Sequence, residues 1–211
     1  MKSNDPISGK RRAGRPSVDR RDEILDAAER LYDAIGFDKT TIGDVARELG
    51  MSPANLYRFF ANRQAIDEAV AARQLRLIED AAWAEARRAH LDPEAAFRQL
   101  CVAVSLKTRD LLLESGRASE LCLAATRGKW QPVRAYMGTL HGAVRHVLSE
   151  GVAQGVFRSG RNSDETAATV VNAMVAVWHP IIIDANGAEA LEANAVALAD
   201  LLLSGLKIKS D

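Results

Sequence analysis

At 211 residues, with 47% hydrophobic and 5% aromatic side chains, the chain has room for one large domain or a small one joined to a larger one, and can bury a sizeable core. Ala and Leu dominate and strand-favouring runs are nearly absent, which argues against a β-rich fold and predicts an all-α protein. The formal net charge is zero, yet Met1 to Arg21 holds Lys2, Lys10, Arg11, Arg12, Arg15, Arg20 and Arg21 against only Asp5 and Asp19. Local sign matters more than the total, so a polyanionic partner is not excluded.

Met1 to Ser17 is polar, aperiodic and broken by glycines and prolines, and is expected to be disordered in isolation. Lys10-Arg11-Arg12-Ala13-Gly14-Arg15-Pro16 forms a compact basic arm within it. Alone it reads as a solubilising tail; next to a DNA-reading element, Arg15 suits the negative potential of a minor groove. Ser17 or Asp19 can cap a first helix running to Ile35, with Ile24, Leu25, Ala28, Leu31 and Tyr32 on one face. Gly36 closes it as a C-cap, and Phe37 is expected to plug a core.

The stretch from Thr40 to Arg63 reads as a helix-turn-helix. Thr40 or Thr41 can cap a short helix whose apolar positions are Ile42, Val45, Ala46 and Leu49. Gly50 then stops it, and Ser52 and Pro53 follow as an N-cap and a first-turn proline. A second helix therefore begins two residues after the turn. Leu56, Phe59 and Phe60 are expected to hold it down, leaving Ser52, Ala54, Asn55, Tyr57 and Arg58 outward. Such a set suits a major groove, because small residues allow close approach while amides and guanidinium groups read base edges. An ordinary helical hairpin would use the same glycine and caps.

From Arg20 to about Ala69 the chain resembles the DNA-binding domain of the TetR family of transcriptional regulators. The resemblance lies in Ile24-Leu25-Asp26-Ala27-Ala28, Gly36-Phe37, Thr40-Thr41, Ile42, Val45-Ala46, Gly50-Met51-Ser52-Pro53 and Leu56-Tyr57-Arg58, and the Gly-Arg-Pro arm is similar too. Phe59 stands where many members carry histidine, which bears on one groove or phosphate contact. Asn62-Arg63 replaces a common Ser-Lys pair and keeps a cap and a cation. The resemblance implies a dimeric regulator, by family expectation a repressor. Arg15, Thr41, Tyr57 and Arg63 would meet phosphates or the minor groove, and Ser52, Ala54, Asn55 and Arg58 would face bases.

After Asn62 a helical pattern runs to about His90, long enough to bridge two parts of the molecule, with a boundary near Arg73. The expected organisation is a basic arm over 1–17, a three-helix DNA-binding domain over 18–72, and a helical ligand-binding and dimerisation domain over 73–211. Asp92-Pro93-Glu94 has the grammar of a helix start; that helix ends at Ser115-Gly116. A short one follows to Gly128. Pro132 opens a longer one, with Val133, Met137, Leu140, Val144, Val147 and Leu148 as its stripe and Tyr136 and His141 beside it. Residues 150–158 resemble the connector before the last two TetR-family helices. The next helix, from Asp164 to about Asp184, has no charged side chain between Ala167 and Ile183. A helix apolar nearly all round must be covered on more than one side. With the final helix, through Leu191, Ala195, Leu198, Ala199, Leu202 and Leu206, it predicts a homodimer joined by a four-helix bundle.

Converging catalytic groups are not found. His141 and His146 lie about 140° apart around a helix, too far to share a metal. Residues 155–162 echo a phosphate-binding loop but carry Arg in place of its lysine and Asn in place of its hydroxyl. Cys101 and Cys122 fit neither a disulfide framework nor a metal site and read as buried thiols. No apolar stretch follows the basic N-terminus, and the run to Ile183 is interrupted by Asn172 and Trp178-His179-Pro180, so a cytoplasmic protein without a membrane span is expected. No cofactor is expected. Trp83, Phe97, Trp130, Tyr136, Met137, His141, Met174 and Trp178 are candidate lining for a small-molecule cavity, since TetR-like regulators bind ligands between these helices. The sequence thus points to a ligand-responsive repressor on a palindromic double-stranded DNA operator. The competing reading is a helical ligand-binding or scaffold protein whose N-terminal hairpin holds a protein partner; near-zero net charge favours it, and the basic arm has no purpose in it.

Overall fold

The computed structural model describes residues 20–114, 119–159, 162–186 and 189–208. Arg15, the rest of the basic arm, the candidate caps Ser17 and Asp19, Ser115-Gly116 and Gly187 lie outside the described residues. The fold is all-α. Among the described residues the only β-type pairing is one antiparallel bridge, Phe157 to Lys207, which ties the connector to the C-terminal end.

Helix α1 (Arg20–Ile35) buries Ile24, Leu25, Ala27, Ala28 and Tyr32, the apolar face expected from its spacing except that Leu31 is half-buried and Ala27 takes part. Helices α2 (Ile42–Glu48) and α3 (Pro53–Leu56) form the helix-turn-helix pair, and α4 (Arg63–Ala86) leaves them behind an Asn62 cap whose Oδ1 accepts from the Ala65 N–H at 2.8 Å. A 3₁₀ turn (Arg87–His90) ends α4. Asp92 then receives the Glu94 and Ala95 amides at 3.0 and 2.9 Å and starts α5 (Pro93–Glu114). Next come α6 (Ser119–Arg127) and α7 (Gln131–Ala153).

Two hydrophobic clusters divide along α4. Ile66, Val70 and Ala71 belong to the small end with α1, α2 and α3, whereas Leu75, Ile78 and Ala82 belong to the body with α5, α7 and the C-terminal helices. The division is not clean. Leu121 and Ala125 of α6 sit in the core of the small end, joined by Trp130 at the start of α7. Arg73 adds a polar tie, reaching Asp26 at 2.6 Å and gripping Glu29, both on α1.

Two expectations need correction. The apolar stretch after Asn162 is not one helix but three: α8 (Ser163–Ala173), α9 (Val175–Trp178) and α10 (Pro180–Asn186). Pro180 has no N–H and forces His179 out of helical geometry, to φ −83° and ψ 119°. On α7 the roles of two neighbours are exchanged: Tyr136 is buried and Met137 is 38% exposed, because the helix turns its phenol ring toward α5. Helix α11 (Leu191–Leu206) closes the chain. Where α7 ends, Phe157 folds back over Gly151 so closely that a Cβ there would lie 2.0 Å from the ring; only glycine fits.

Candidate functional site

The small end is shaped by local hydrogen bonds. Thr41, not Thr40, caps α2: its Oγ1 accepts from the Asp44 N–H at 3.2 Å while its own N–H donates to Asp44 Oδ2 at 3.0 Å. The Thr41 bonds, with Arg47 at 2.9 Å, hold the Asp44 carboxyl below its ordinary range. Thr40 is buried, and its hydroxyl donates to Gly36 O at 2.9 Å. At Gly50, φ is +62°, and the chain reverses there with the Met51 N–H on Ala46 O at 2.8 Å.

Ser52 caps α3, accepting from the Asn55 N–H at 3.2 Å. The helix makes only one α-turn. Bonds from Arg58 N to Asn55 O (3.2 Å) and Phe59 N to Leu56 O (2.9 Å) then tighten the chain. Leu56 and Phe60 are buried and Phe59 half-buried, so Ser52, Ala54, Asn55, Tyr57 and Arg58 all face solvent. Arg21 of α1 fixes this edge, donating to Phe59 O at 2.6 Å with its guanidinium 4.3 Å from the Phe60 ring centre.

Arg63 is placed differently from expectation. Its guanidinium turns inward, donating to Phe37 O, lying 5.1 Å from the centre of the Phe37 ring and 3.4 Å from Asp67 Oδ2. Tyr32 donates to the same buried carboxylate. Burial raises the Asp67 carboxyl despite the Tyr32 hydrogen bond and the Arg63 charge, and burial with the Asp67 contact raises the Tyr32 phenol. The cluster joins α1, α4 and the Phe37 turn into one block. Arg63, expected to meet a phosphate, here pairs with a carboxylate within the domain.

In the body, a cavity of about 420 Å³ opens between the helices. Leu75 and Ile78 come from α4, Thr108 from α5, Cys122 and Thr126 from α6, Val133, Arg134, Tyr136, Met137 and Leu140 from α7, Val171, Val175 and Trp178 from α8 and α9, and Pro180 from the start of α10, with Lys129 and His179 from the corners between helices. The walls are overwhelmingly apolar. Burial pushes the Cys122 thiol up to about 11, partly offset by its hydrogen bond with Thr126, and raises the Tyr136 phenol against the opposing bond with Thr108. The break at His179 helps to make this wall: Trp178 donates its indole N–H to Cys101 O at 2.9 Å, and His179 Nδ1 is buried without a hydrogen-bond partner among the described residues.

Of the eight predicted lining residues the cavity gathers Tyr136, Met137 and Trp178. The others are placed elsewhere. Phe97 and Met174 are ordinary core. Trp83 stacks on His146 at 5.8 Å between ring centres, and His141 turns to Asp164, its Nε2 3.1 Å from the backbone oxygen. Trp130 packs against Phe37, with ring centres 6.2 Å apart, and so reaches the small end. Thr108, Cys122, Thr126, Lys129, Arg134 and His179 also line the cavity, and nothing local in the sequence marks them. Cys101 and Cys122 are free and buried. Among the described residues no three His, Cys, Asp or Glu gather as metal ligands.

A capped helix-turn-helix presenting an open polar face, carried on a helical body with an apolar cavity, defines a DNA-binding regulator. Comparison with known proteins gives the family. The model of bacterial regulatory proteins of the TetR family matches residues 24–70, and that of the tetracyclin repressor-like C-terminal domain matches 93–199, just over half of the chain by itself. The chain belongs to the TetR family of transcriptional regulators and is not an enzyme. No curated protein matches the sequence.

Solved structures share the fold. A TetR-family transcriptional regulator from Pectobacterium atrosepticum is 20% identical with a TM-score of 0.67, covering 90% of this chain and 95% of its own. SmeT, the repressor of the Stenotrophomonas maltophilia multidrug efflux pump SmeDEF, is 19% identical with a TM-score of 0.61 over 90% and 91%. It is also known in complex with triclosan. RolR in complex with resorcinol is 18% identical with a TM-score of 0.60 over 90% and 88%.

Proposed function

We propose that two copies of the chain hold a palindromic operator as a repressor in the cytoplasm and release it when a small molecule fills the cavity. The observation that carries this reading is the double engagement of α6. One side, Cys122 and Thr126, lines the cavity; the other, Leu121 and Ala125, is core of the small end. Leu75 and Ile78 of α4 line the same cavity, a turn or so beyond the Arg73 tie to α1. A ligand that displaces α6 and α4 therefore tilts the α2–α3 pair. Two such pairs fit successive major grooves only when about 34 Å apart, so the ligand must bind the tilted state more tightly.

Thr41 and Tyr57 are assigned to phosphates, with Arg15 in the minor groove, and Ser52, Ala54, Asn55 and Arg58 to base edges. Arg63 acts by bracing the domain. Dimerisation is supported by the stretch from Ser163 to Asn186, of whose apolar window only 39% is buried within one copy, and by Leu201 on α11, 67% exposed. SmeT with triclosan and RolR with resorcinol support a small-molecule effector in this fold.

Selection of bound duplexes from a random pool by the purified protein, at physiological salt, tests the reading. A palindromic motif is the expected result. A non-palindromic motif would remove the two-fold dimer on DNA; no motif from well-folded protein would favour a hairpin that grips a protein partner.

A further inference from the structure

The cavity sorts its charge by position. Its walls are mostly apolar side chains, with Thr108, Cys122, Thr126 and His179 as uncharged polar groups; no Asp or Glu lines it among the described residues, and its two formally charged lining residues are both cations, Lys129 and Arg134. Both are exposed at the rim and neither has an ion pair among the described residues. Some cations elsewhere in the body find carboxylates, Arg98 with Asp200 at 2.7 Å, Arg88 with Glu85 at 3.3 Å and Lys207 with Glu94; Arg76 and Arg127, which do not line the cavity, have none among the described residues.

The backbone adds an independent mark. Lys129 has φ 50°, the one non-glycine residue in the left-handed region among the described residues. That conformation is disfavoured for a side chain with a Cβ, and glycine or asparagine would hold the α6–α7 corner with less strain. The corner is otherwise tightly packed, since the Trp130 indole lies over Gly128, where a Cβ would meet its Nε1 at 2.5 Å. Turn geometry thus does not require a lysine at the cavity mouth.

We infer that the effector is an apolar carboxylate, its body in the cavity and its anionic head between Lys129 and Arg134. This rests on the reading of the cavity as the effector site. The guanidinium fork matches two carboxylate oxygens, and the ammonium adds a point charge. A neutral molecule of the same shape gains nothing from the rim, and a cationic one is repelled. The cavity lies toward the lower end of the roughly 300–1,000 Å³ range of small-molecule sites, so the body is compact, an aryl or medium-length alkyl group. A head drawn to Lys129 acts on the residue next to Trp130, which packs on Phe37 of the DNA-binding end.

The test compares acids with their matched alcohols, 4-phenylbutyrate with 4-phenylbutanol and decanoate with decanol, by calorimetry on the full chain. At about 0.1 M salt the acids are expected to bind roughly tenfold or more tightly, and the advantage should shrink toward about 1 M as the screening length falls from about 10 Å to about 3 Å. In Lys129→Gln/Arg134→Gln the acid advantage should fall to about twofold with alcohol binding unchanged. Alcohols that bind as well as acids, or a double variant that keeps the preference, would overturn the inference. Should the double variant fail to fold, Arg134→Gln on the exposed side of α7 is still expected to lose part of the advantage, and its full retention counts equally against it.

Release from the selected duplex is followed in parallel. Acid binding that depends on the two cations but leaves DNA affinity unchanged keeps the anion site and removes its role as effector site. A selected motif with none of the four probes bound removes the anion site and leaves the regulator standing.

Discussion

In the small end, the side chains offered to solvent are set by caps one turn away, Thr41 with Asp44, Ser52 with Asn55 and Asn62 with Ala65. The cavity instead draws on α4 through α10 and two helix corners, with Leu75 sharing its wall with residues as distant in sequence as His179 and Pro180. One region is assembled by neighbours in the chain and the other by packing across it. Small-end substitutions should therefore act through the local turn or the DNA contact itself, and body substitutions through the packing of several helices together.

The sharpest way to break this contrast is Leu56→Ala. Leu56, the last residue of α3, is fully buried, and the change is expected to destabilise the small end by ~2–5 kcal/mol. DNA binding should be lost while the cavity still takes up ligand in calorimetry. Loss of both would mean that α6 makes the two ends one cooperative unit.

Gly151→Ala probes the body. The Phe157 ring must move to admit the Cβ, at a cost of ~1–3 kcal/mol; thermal unfolding should drop for the whole body rather than for one helix. A change absorbed without loss would show that the α7 connector yields.

Asn55→Ala is expected to lose ~1–3 kcal/mol of discrimination at particular base pairs with unchanged melting. Arg15→Ala should instead weaken binding to every duplex and reduce the salt slope by about one. Equal effects of both variants on all DNA would remove the division between base and phosphate roles. Asn62→Ala, which takes away only a cap, should cost ~1 kcal/mol, read in denaturant unfolding of the small end.

The least in size concerns pH. Asp67 has a folded-state affinity for protons raised by burial, so its folded form binds more protons than the unfolded one. Its contribution to stability is complete below the ordinary carboxylate range and is lost as pH rises through the folded value. Asp67→Asn is therefore expected to gain most relative to wild type at neutral pH, with the gap closing as pH falls toward the ordinary carboxylate range. A gap that widens on acidification would mean that Arg63 outweighs the cost of burial.

The helix-turn-helix was legible because its signals are consecutive: capping residues, a glycine at positive φ, a first-turn proline and an apolar stripe each act within a few residues. The outward set from Ser52 to Arg58 followed from which positions had to be buried. The intramolecular bonds of Arg63 were hidden for the opposite reason. Its partners, Asp67 and the Phe37 carbonyl, include one from another part of the chain, and an arginine one residue past a cap looks the same in sequence whether it faces a phosphate or a core. The three-helix break after Asn162 was half visible: Pro180 announced it, while the turn at Met174 carries no breaker residue.

By itself the sequence determined the helical class, the starts of the helices after Asn62 and Asp92, and the polar face of α3, because hydrogen bonds and apolar periodicity along one helix depend on residues within a turn or two. Tertiary structure alone decided that Trp130 packs on Phe37 instead of lining the cavity, that α6 belongs to both ends, and that Lys129 and Arg134 both line the cavity. Those placements depend on how helices cross, and a side chain's neighbours across a crossing are fixed by the packing of the whole core rather than by its own stretch of chain.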